Sequence, residues 1–374
     1  MNILDYIDWR GDLPFAADGV NEVDNLIFST LAYLDMEKPV SADGGAPTIA
    51  ALFRRFAEAG CERSSKPSDP LPLLEKAAQS ARFRDVTAAW YVNEVDAERQ
   101  LQFAAVTFLL PDGTAYVAFR GTDNSIAGWR EDCNLSFLSE TPGQNEAVRY
   151  LERVAAQTRG DLIVGGHSKG GNFAVYAAAF CAESVREDRI VRVYSNDGPG
   201  FNDAVAASPE YLSILDKTVK IIPDSSLVGI LLSSREARKV VKCDAKGGIQ
   251  QHNPYSWCVR GAAFEAADER ATASIFMDDV LTRWVATLSD ENLQILVNAV
   301  FDSLEASGAA TLSEISEHKR ACCTAILKAA AKIDPANRSD IAGSLKKLLV
   351  SGKDAVMAET RRGAGQKKTL PADG

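Results

Sequence analysis

Asp161-Leu162-Ile163-Val164-Gly165-Gly166-His167-Ser168-Lys169-Gly170-Gly171-Asn172 is the stretch on which the reading of this chain turns. Its apolar run, Leu162-Ile163-Val164, has strand character and ends in glycines. After Ser168 comes Phe173-Ala174-Val175-Tyr176-Ala177-Ala178-Ala179-Phe180, a run of small and apolar residues suited to a helix. The segment therefore reads as a strand, a very tight turn and a helix. Such a turn needs unusual backbone angles and no side chains where strand and helix nearly touch. Glycines on both sides of Ser168 meet that need.

Glycine, any residue, serine, any residue, glycine between a strand and a helix is the pattern of a nucleophile elbow. The turn lifts the Ser168 hydroxyl clear of the sheet, where a base can reach it. The N–H of Lys169 falls in the first turn of the helix, unpaired and at the positive end of the helix dipole, so it can receive an oxyanion. A phosphate-binding loop is the competing glycine-rich reading. It requires Gly-Lys-Ser/Thr, whereas the order here is Ser168-Lys169-Gly170, which excludes it.

Upstream, Val23, Leu26, Ile27, Leu31 and Leu34 recur near helical spacing behind Asn21, a candidate cap. A helix is expected over 48–59, between Pro/Gly/Ser-rich loops at 41–47 and 64–72. From Val86 the pattern changes to strands, at 86–92, 102–109 and 114–119, the last two joined by the turn Pro111-Asp112-Gly113. A helix over 143–158 leads into the elbow. Strands at 189–194 and 218–222 follow, with a short helical stretch at 211–215. Alternating strands and helices imply an α/β fold with a mainly parallel sheet covered on both faces. After about residue 262 no strand signal remains. Helices are expected over 277–287, 289–304, from a capping box at Thr311-Leu312-Ser313-Glu314, and over 320–332 and 338–350. The division is thus 1–262 for the α/β domain with its helical N-terminal segment, 263–352 for a helical region, and 353–374 for a basic, disordered tail.

The 374 residues carry a net charge of −10, which argues against a nucleic-acid partner. No apolar run approaches the ~18 residues of a membrane span, and the N-terminus lacks a basic segment followed by an apolar one. Seven cysteines form an odd set without CxxC spacing, as expected of free thiols in a reducing cytoplasm. Three histidines, none beside a cysteine pair, leave little for metal ligation, and no cofactor is implied.

A serine nucleophile requires a base, an acid that orients it, and oxyanion donors. His252 lies in the loop-like Gln250-Gln251-His252-Asn253-Pro254-Tyr255-Ser256-Trp257 and has the right order after Ser168. His318 falls inside a charged helix and reads as a solvated residue. Two aspartates compete as the acid, and both sit where the carboxyl edge of the sheet should be. Asp197 lies in Ser195-Asn196-Asp197-Gly198-Pro199-Gly200, which also suits plain turn capping; Asp224, in Ile221-Ile222-Pro223-Asp224, is preferred, with Asp197 in reserve. Thr122, in the loop after the strand ending Phe119-Arg120-Gly121, can offer a backbone N–H and a hydroxyl to an oxyanion.

Phe119-Arg120-Gly121-Thr122, then Trp129 and Asp132, then Gly166-His167-Ser168-x-Gly170-Gly171, resembles the class 3 (fungal-type) lipases. The chain resembles more closely the Mbeg1-like group of bacterial α/β-hydrolases, whose substrate is undefined. That likeness also takes in Trp9-Arg10-Gly11-Asp12, Asn21-Glu22-Val23-Asp24, Asn196-Asp197-Gly198-Pro199-Gly200 and His252-Asn253-Pro254-Tyr255-Ser256-Trp257. The resemblance implies Ser168 as nucleophile, Asp224 as acid, His252 as base, and Thr122 with the Lys169 N–H as oxyanion hole. Lipases usually carry Leu where this chain has Lys169, and a charge beside the nucleophile speaks against a greasy, triglyceride-like substrate.

The expectation is a cytoplasmic serine hydrolase that cleaves a small-molecule acyl ester. A thioester or amide substrate, or a non-catalytic scaffold that retains the elbow, are the alternatives. Segments 126–140 and 225–248 are candidate lids.

Overall fold

The computed structural model describes residues 1–267, apart from 38, 41–45, 62–67, 124–125, 136–137, 139 and 246–247, together with 294, 295 and 298. Seven strands form one sheet: β1 (Thr87–Asp96), β2 (Leu101–Leu109), β3 (Ala115–Phe119), β4 (Leu162–His167), β5 (Ile190–Asn196), β6 (Thr218–Pro223) and β7 (Ala237–Val241). Their spatial order is their chain order. β1, β2 and β3 run antiparallel, and β3 to β7 run parallel.

The change of direction follows from the connections. Between β2 and β3 the chain turns back on Pro111-Asp112-Gly113, with Gly113 at φ +91° and its N–H on the Leu110 carbonyl. A parallel neighbour requires a crossover. Helices α5 (Ile126–Asn134) and α6 (Pro142–Gln157) supply it between β3 and β4, and α7 (Lys169–Phe180) supplies it between β4 and β5. Helix α6 starts sharply, because the Thr141 hydroxyl accepts the Gln144 N–H, the Gln144 side chain accepts the Thr141 N–H, and Pro142 opens the first turn.

Strand β3 shows why the sheet is covered on both faces. All five of its residues are buried, and they alternate between two cores. Tyr116 and Ala118 face α1 (Ile3–Arg10), α2 (Glu22–Leu31), α3 (Ile49–Glu58) and α4 (Leu71–Gln79), where Phe28 stacks on Phe108 with ring centroids 4.9 Å apart. Ala115, Val117 and Phe119 face α6 and α7, among Phe103, Tyr150 and Phe173. Each such aliphatic or aromatic side chain taken out of water contributes about 1.5–3 kcal/mol.

Helix α2 begins at the expected cap, since the Asn21 side chain accepts the N–H groups of Val23 and Asp24. The helix is buried almost all round, polar residues included. Asp24 pairs with Arg82, both side chains fully enclosed, and Tyr6 donates to the same carboxylate. The five guanidinium N–H groups of Arg82 are all placed, on Asp24 and on the carbonyls of Leu13, Asp18 and Gly19. Removing one partner from a buried pair costs about 3–5 kcal/mol, so this pair pins the N-terminal segment to the domain.

Strand β7 lies within the segment 225–248 that the sequence presents as a candidate lid. Its charged run Ala237-Arg238-Lys239 belongs to a half-exposed edge strand, where Lys239 pairs with Glu22 instead of building an apolar stripe. A hairpin, β8 (Val259–Arg260) with β9 (Ala263–Phe264), turns on Gly261 and puts a strand just past residue 262. The chain divides into two units at Glu269/Arg270. The helices expected over 277–350, with the tail at 353–374, lie outside the described residues apart from positions 294, 295 and 298, which are helical. Among the described residues no helix is long and apolar enough to cross a membrane.

Candidate active site

Ser168 stands between the last residue of β4 and the first of α7, at φ 60° and ψ −136°. For a residue with a Cβ that conformation costs on the order of 1–3 kcal/mol. Its surroundings enforce it: the Ser168 N–H donates to the Asn196 carbonyl at 2.9 Å, and the Ser168 carbonyl accepts the Gly171 N–H at 2.8 Å. A Cβ on Gly166 would collide with the Gly170 carbonyl, and one on Gly170 with the Phe119 carbonyl. The residues on either side of Ser168 are buried, while Ser168 itself keeps access to solvent.

His252 is tethered from both sides of the elbow. Its Nδ1 meets Asp197 Oδ2 at 2.7 Å, and Asp197 directly follows the residue that holds the Ser168 N–H. Its backbone carbonyl meets His167 Nε2 at 2.8 Å, and the two imidazole rings lie 4.5 Å apart. Burial, with the His252 ring beside it, pushes the His167 pKa down to about 3, so His167 is neutral. A carbonyl accepts only, so the His167 proton sits on Nε2. Nδ1 is then the acceptor for the Tyr33 hydroxyl 3.1 Å away. By the same reasoning His252 Nδ1–H donates to the Asp197 carboxylate, and the lone pair of His252 is left on Nε2.

The acid beside His252 is therefore Asp197, and the preference for Asp224 is corrected. Asp197 is fully buried and also accepts the Ser226 hydroxyl and the Gly229 N–H. Burial alone would raise its pKa. The hydrogen bond of the neighbouring His252 and that of the Ser226 hydroxyl outweigh burial and hold Asp197 below the usual range. Asp224 directly follows β6, the strand beyond β5, and its backbone N–H bonds the Val241 carbonyl while its Oδ1 has no partner among the described residues. The two acids directly follow neighbouring strands, and Asp197 follows the one paired with the elbow strand.

The loop after β3 packs against the elbow: a Cβ on Gly121 would lie 2.8 Å from Ser168 Cβ and 2.6 Å from the His167 carbonyl. Thr122 follows, and its hydroxyl donates to Asp132 Oδ2 at 2.6 Å. Asp132 keeps some exposed surface, but its Oδ1 is enclosed without a partner among the described residues. Burial raises its pKa to about 6 against the pull of Lys169 and Thr122.

The Lys169 side chain does not lie beside the Ser168 hydroxyl. It runs inward, 1 % exposed, and its ammonium bonds the Gln102 carbonyl at 3.1 Å, Gln102 Oε1 at 2.8 Å and Glu131 Oε2 at 2.9 Å. The objection to an apolar substrate drawn from its charge therefore lapses. Sequence reading had no role for His167, Tyr33, Gln102 or Glu131. Only His167 carried a signal, as one of three histidines and the residue next to Ser168. The third, His318, lies outside the described residues, as do the side chains of Ile126, Ala127 and Trp129 in the candidate lid 126–140.

No curated protein matches this chain. Among solved structures it is similar to the Rhizomucor miehei lipase propeptide complex, at 15% identity and TM-score 0.37, over 59% of this chain and 68% of that one. It is likewise similar to a mutant form of MDLA from Penicillium cyclopium, at 15% identity and TM-score 0.37, over 66% and 84%. These likenesses are distant, and the α/β-hydrolase layout stands on the mainly parallel sheet and the strand–elbow–helix turn. The Mbeg1-like family model matches residues 77–302, more than half of the chain, and the chain belongs to the Mbeg1-like family.

Proposed function

We propose that this protein is a serine hydrolase acting on acyl esters. The observation that carries the reading is the bond between His252 and Asp197, held against the strained Ser168 turn from both sides. Ser168 Oγ attacks the ester carbonyl as His252 Nε2 takes its proton. Asp197 keeps the imidazole in the tautomer that allows this and stabilises the imidazolium that results. The Lys169 N–H and Thr122 receive the oxyanion. As the intermediate collapses, His252 returns the proton to the leaving alcohol. Water, activated by the same histidine, then hydrolyses the acyl-enzyme. A reducing, cytoplasmic setting is supported by Cys61, Cys133, Cys181, Cys243 and Cys258, all of which are free thiols.

The test is exposure of the folded protein to an alkyl fluorophosphonate, with mass spectrometry to locate the adduct, followed by hydrolysis of a p-nitrophenyl ester series of increasing acyl length. Labelling at Ser168 with turnover is expected. Absence of both would move the reading to a non-catalytic scaffold. Faster turnover of a matched thioester or amide would change the bond but keep the mechanism.

Two substitutions follow from the geometry. Thr122→Val keeps the backbone N–H but removes the hydroxyl that anchors the residue to Asp132, so kcat should fall by less than the loss of about 10²–10³ that is typical of a deleted oxyanion donor. His167→Phe keeps a ring against His252 but deletes the donor to its carbonyl. Leaving that group unpaired costs about 1–3 kcal/mol, so kcat should fall by roughly 5- to 100-fold with a smaller change in KM. His167→Gln, which can still donate, should recover part of the loss. Equal rates for both variants would show that the hydrogen bond plays no part.

A further inference from the structure

Helix α5 carries two adjacent acids, and each holds a different wall of the site. Asp132 accepts the Thr122 hydroxyl. Glu131, fully buried, accepts the Lys169 ammonium and the Gln102 N–H on Oε2 and the Gly143 N–H, at 2.7 Å, on Oε1. Lys169 in turn has three ammonium protons and three oxygens around them, two from Gln102 and one from Glu131. The cluster therefore joins α5, the start of β2, the first turn of α6 and the first turn of α7. Its fit is close enough to dictate a glycine: a Cβ on Gly143 would stand 2.5 Å from Glu131 Oε1.

A buried ion pair is weak evidence for stability, because desolvation offsets most of its attraction. Its location points elsewhere. The same residue supplies the ammonium and, through its backbone N–H, one oxyanion donor. The neighbour of its carboxylate partner supplies the anchor of the other donor. An oxyanion hole works only if its donors are held before charge develops, since reorganising them in the transition state costs rate. We infer that the Lys169 side chain, Glu131 and Gln102 are positioning residues, a cross-brace that fixes the Lys169 N–H and Thr122 at one separation. This rests on the hydrolase reading above.

The experiment measures kcat and KM for a p-nitrophenyl ester with wild type, Ser168→Ala, Lys169→Met and Glu131→Gln. It also measures Ki for an alkylboronic acid, which forms a tetrahedral anion on a serine, and the melting temperature of each protein. Lys169→Met keeps the unbranched stem of the side chain as far as Cε and the backbone N–H but removes the ammonium. The expected result is a loss in kcat of about 10- to 100-fold, less than deletion of a donor, with KM within about twofold and Ki raised in proportion to the loss in kcat. Glu131→Gln, which keeps the shape and one acceptor, should show the same pattern at smaller size, and it carries the test if Lys169→Met does not fold. Variants that melt earlier but keep wild-type kcat and Ki per folded molecule would overturn the brace and leave the hydrolase reading intact. Wild type as inert as Ser168→Ala would overturn the reading and the brace with it.

Discussion

Ser168→Ala should abolish ester hydrolysis almost entirely, by on the order of 10⁴–10⁶ in kcat, because no other oxygen can occupy the end of the strained turn. The residual rate should still exceed that in water, since the oxyanion donors and the binding surface remain. Fold and stability should change little or improve slightly. The side chain makes no cap bond, and the backbone bonds to Asn196 and Gly171 do not involve it. The check is turnover of a p-nitrophenyl ester by matched preparations, with circular dichroism to confirm the fold. Activity retained by Ser168→Ala would remove Ser168 from the mechanism altogether.

Asp197→Asn should come next, with a loss near 10⁴, while Asp224→Asn stays within about threefold of wild type. An amide at 197 can present its NH₂ group to His252, which favours the tautomer with the proton on Nε2, and that imidazole cannot take a proton from serine. Asp224 makes no bond to His252, and its partnerless Oδ1 loses nothing on conversion to an amide. Stability provides an independent reading. A carboxyl whose folded pKa lies below its unfolded value adds stability above the unfolded value and loses it as the pH falls through the folded one. Asp197 is such a group, so its contribution, seen as the gap between wild type and Asp197→Asn, should be full at neutral pH and shrink below about pH 4. The reverse ranking, with Asp224→Asn inert and Asp197→Asn active, would return the acid to β6.

Much of the fold is legible in the sequence where the signal is local. The cap at Asn21 starts its helix where a side chain can accept first-turn N–H groups, and the helix expected over 48–59 is α3. The turn at 111–113 and the glycines around Ser168 declare themselves through conformations that few other residues adopt. Strand β7 was hidden because its residues pair their charges across to Glu22 and to solvent, which gives no apolar alternation over its short length. Lys169 misled in a different way. A lysine in a sequence is a surface residue by default, and its burial became visible only with Gln102 and Glu131 around its ammonium.

The sequence by itself determined where the turn falls, that Ser168 occupies its apex, and that His252 follows in a loop. Each of these is a property of a dozen or fewer consecutive residues and their backbone preferences. Tertiary structure alone decided which aspartate meets His252, where the Lys169 charge goes, and which histidine bonds the His252 carbonyl. Those choices turn on side chains reaching across strands about 4.8 Å apart. Asp197 and Asp224 each directly follow one of two neighbouring strands, so distance in space, which sequence spacing does not encode, selects between them.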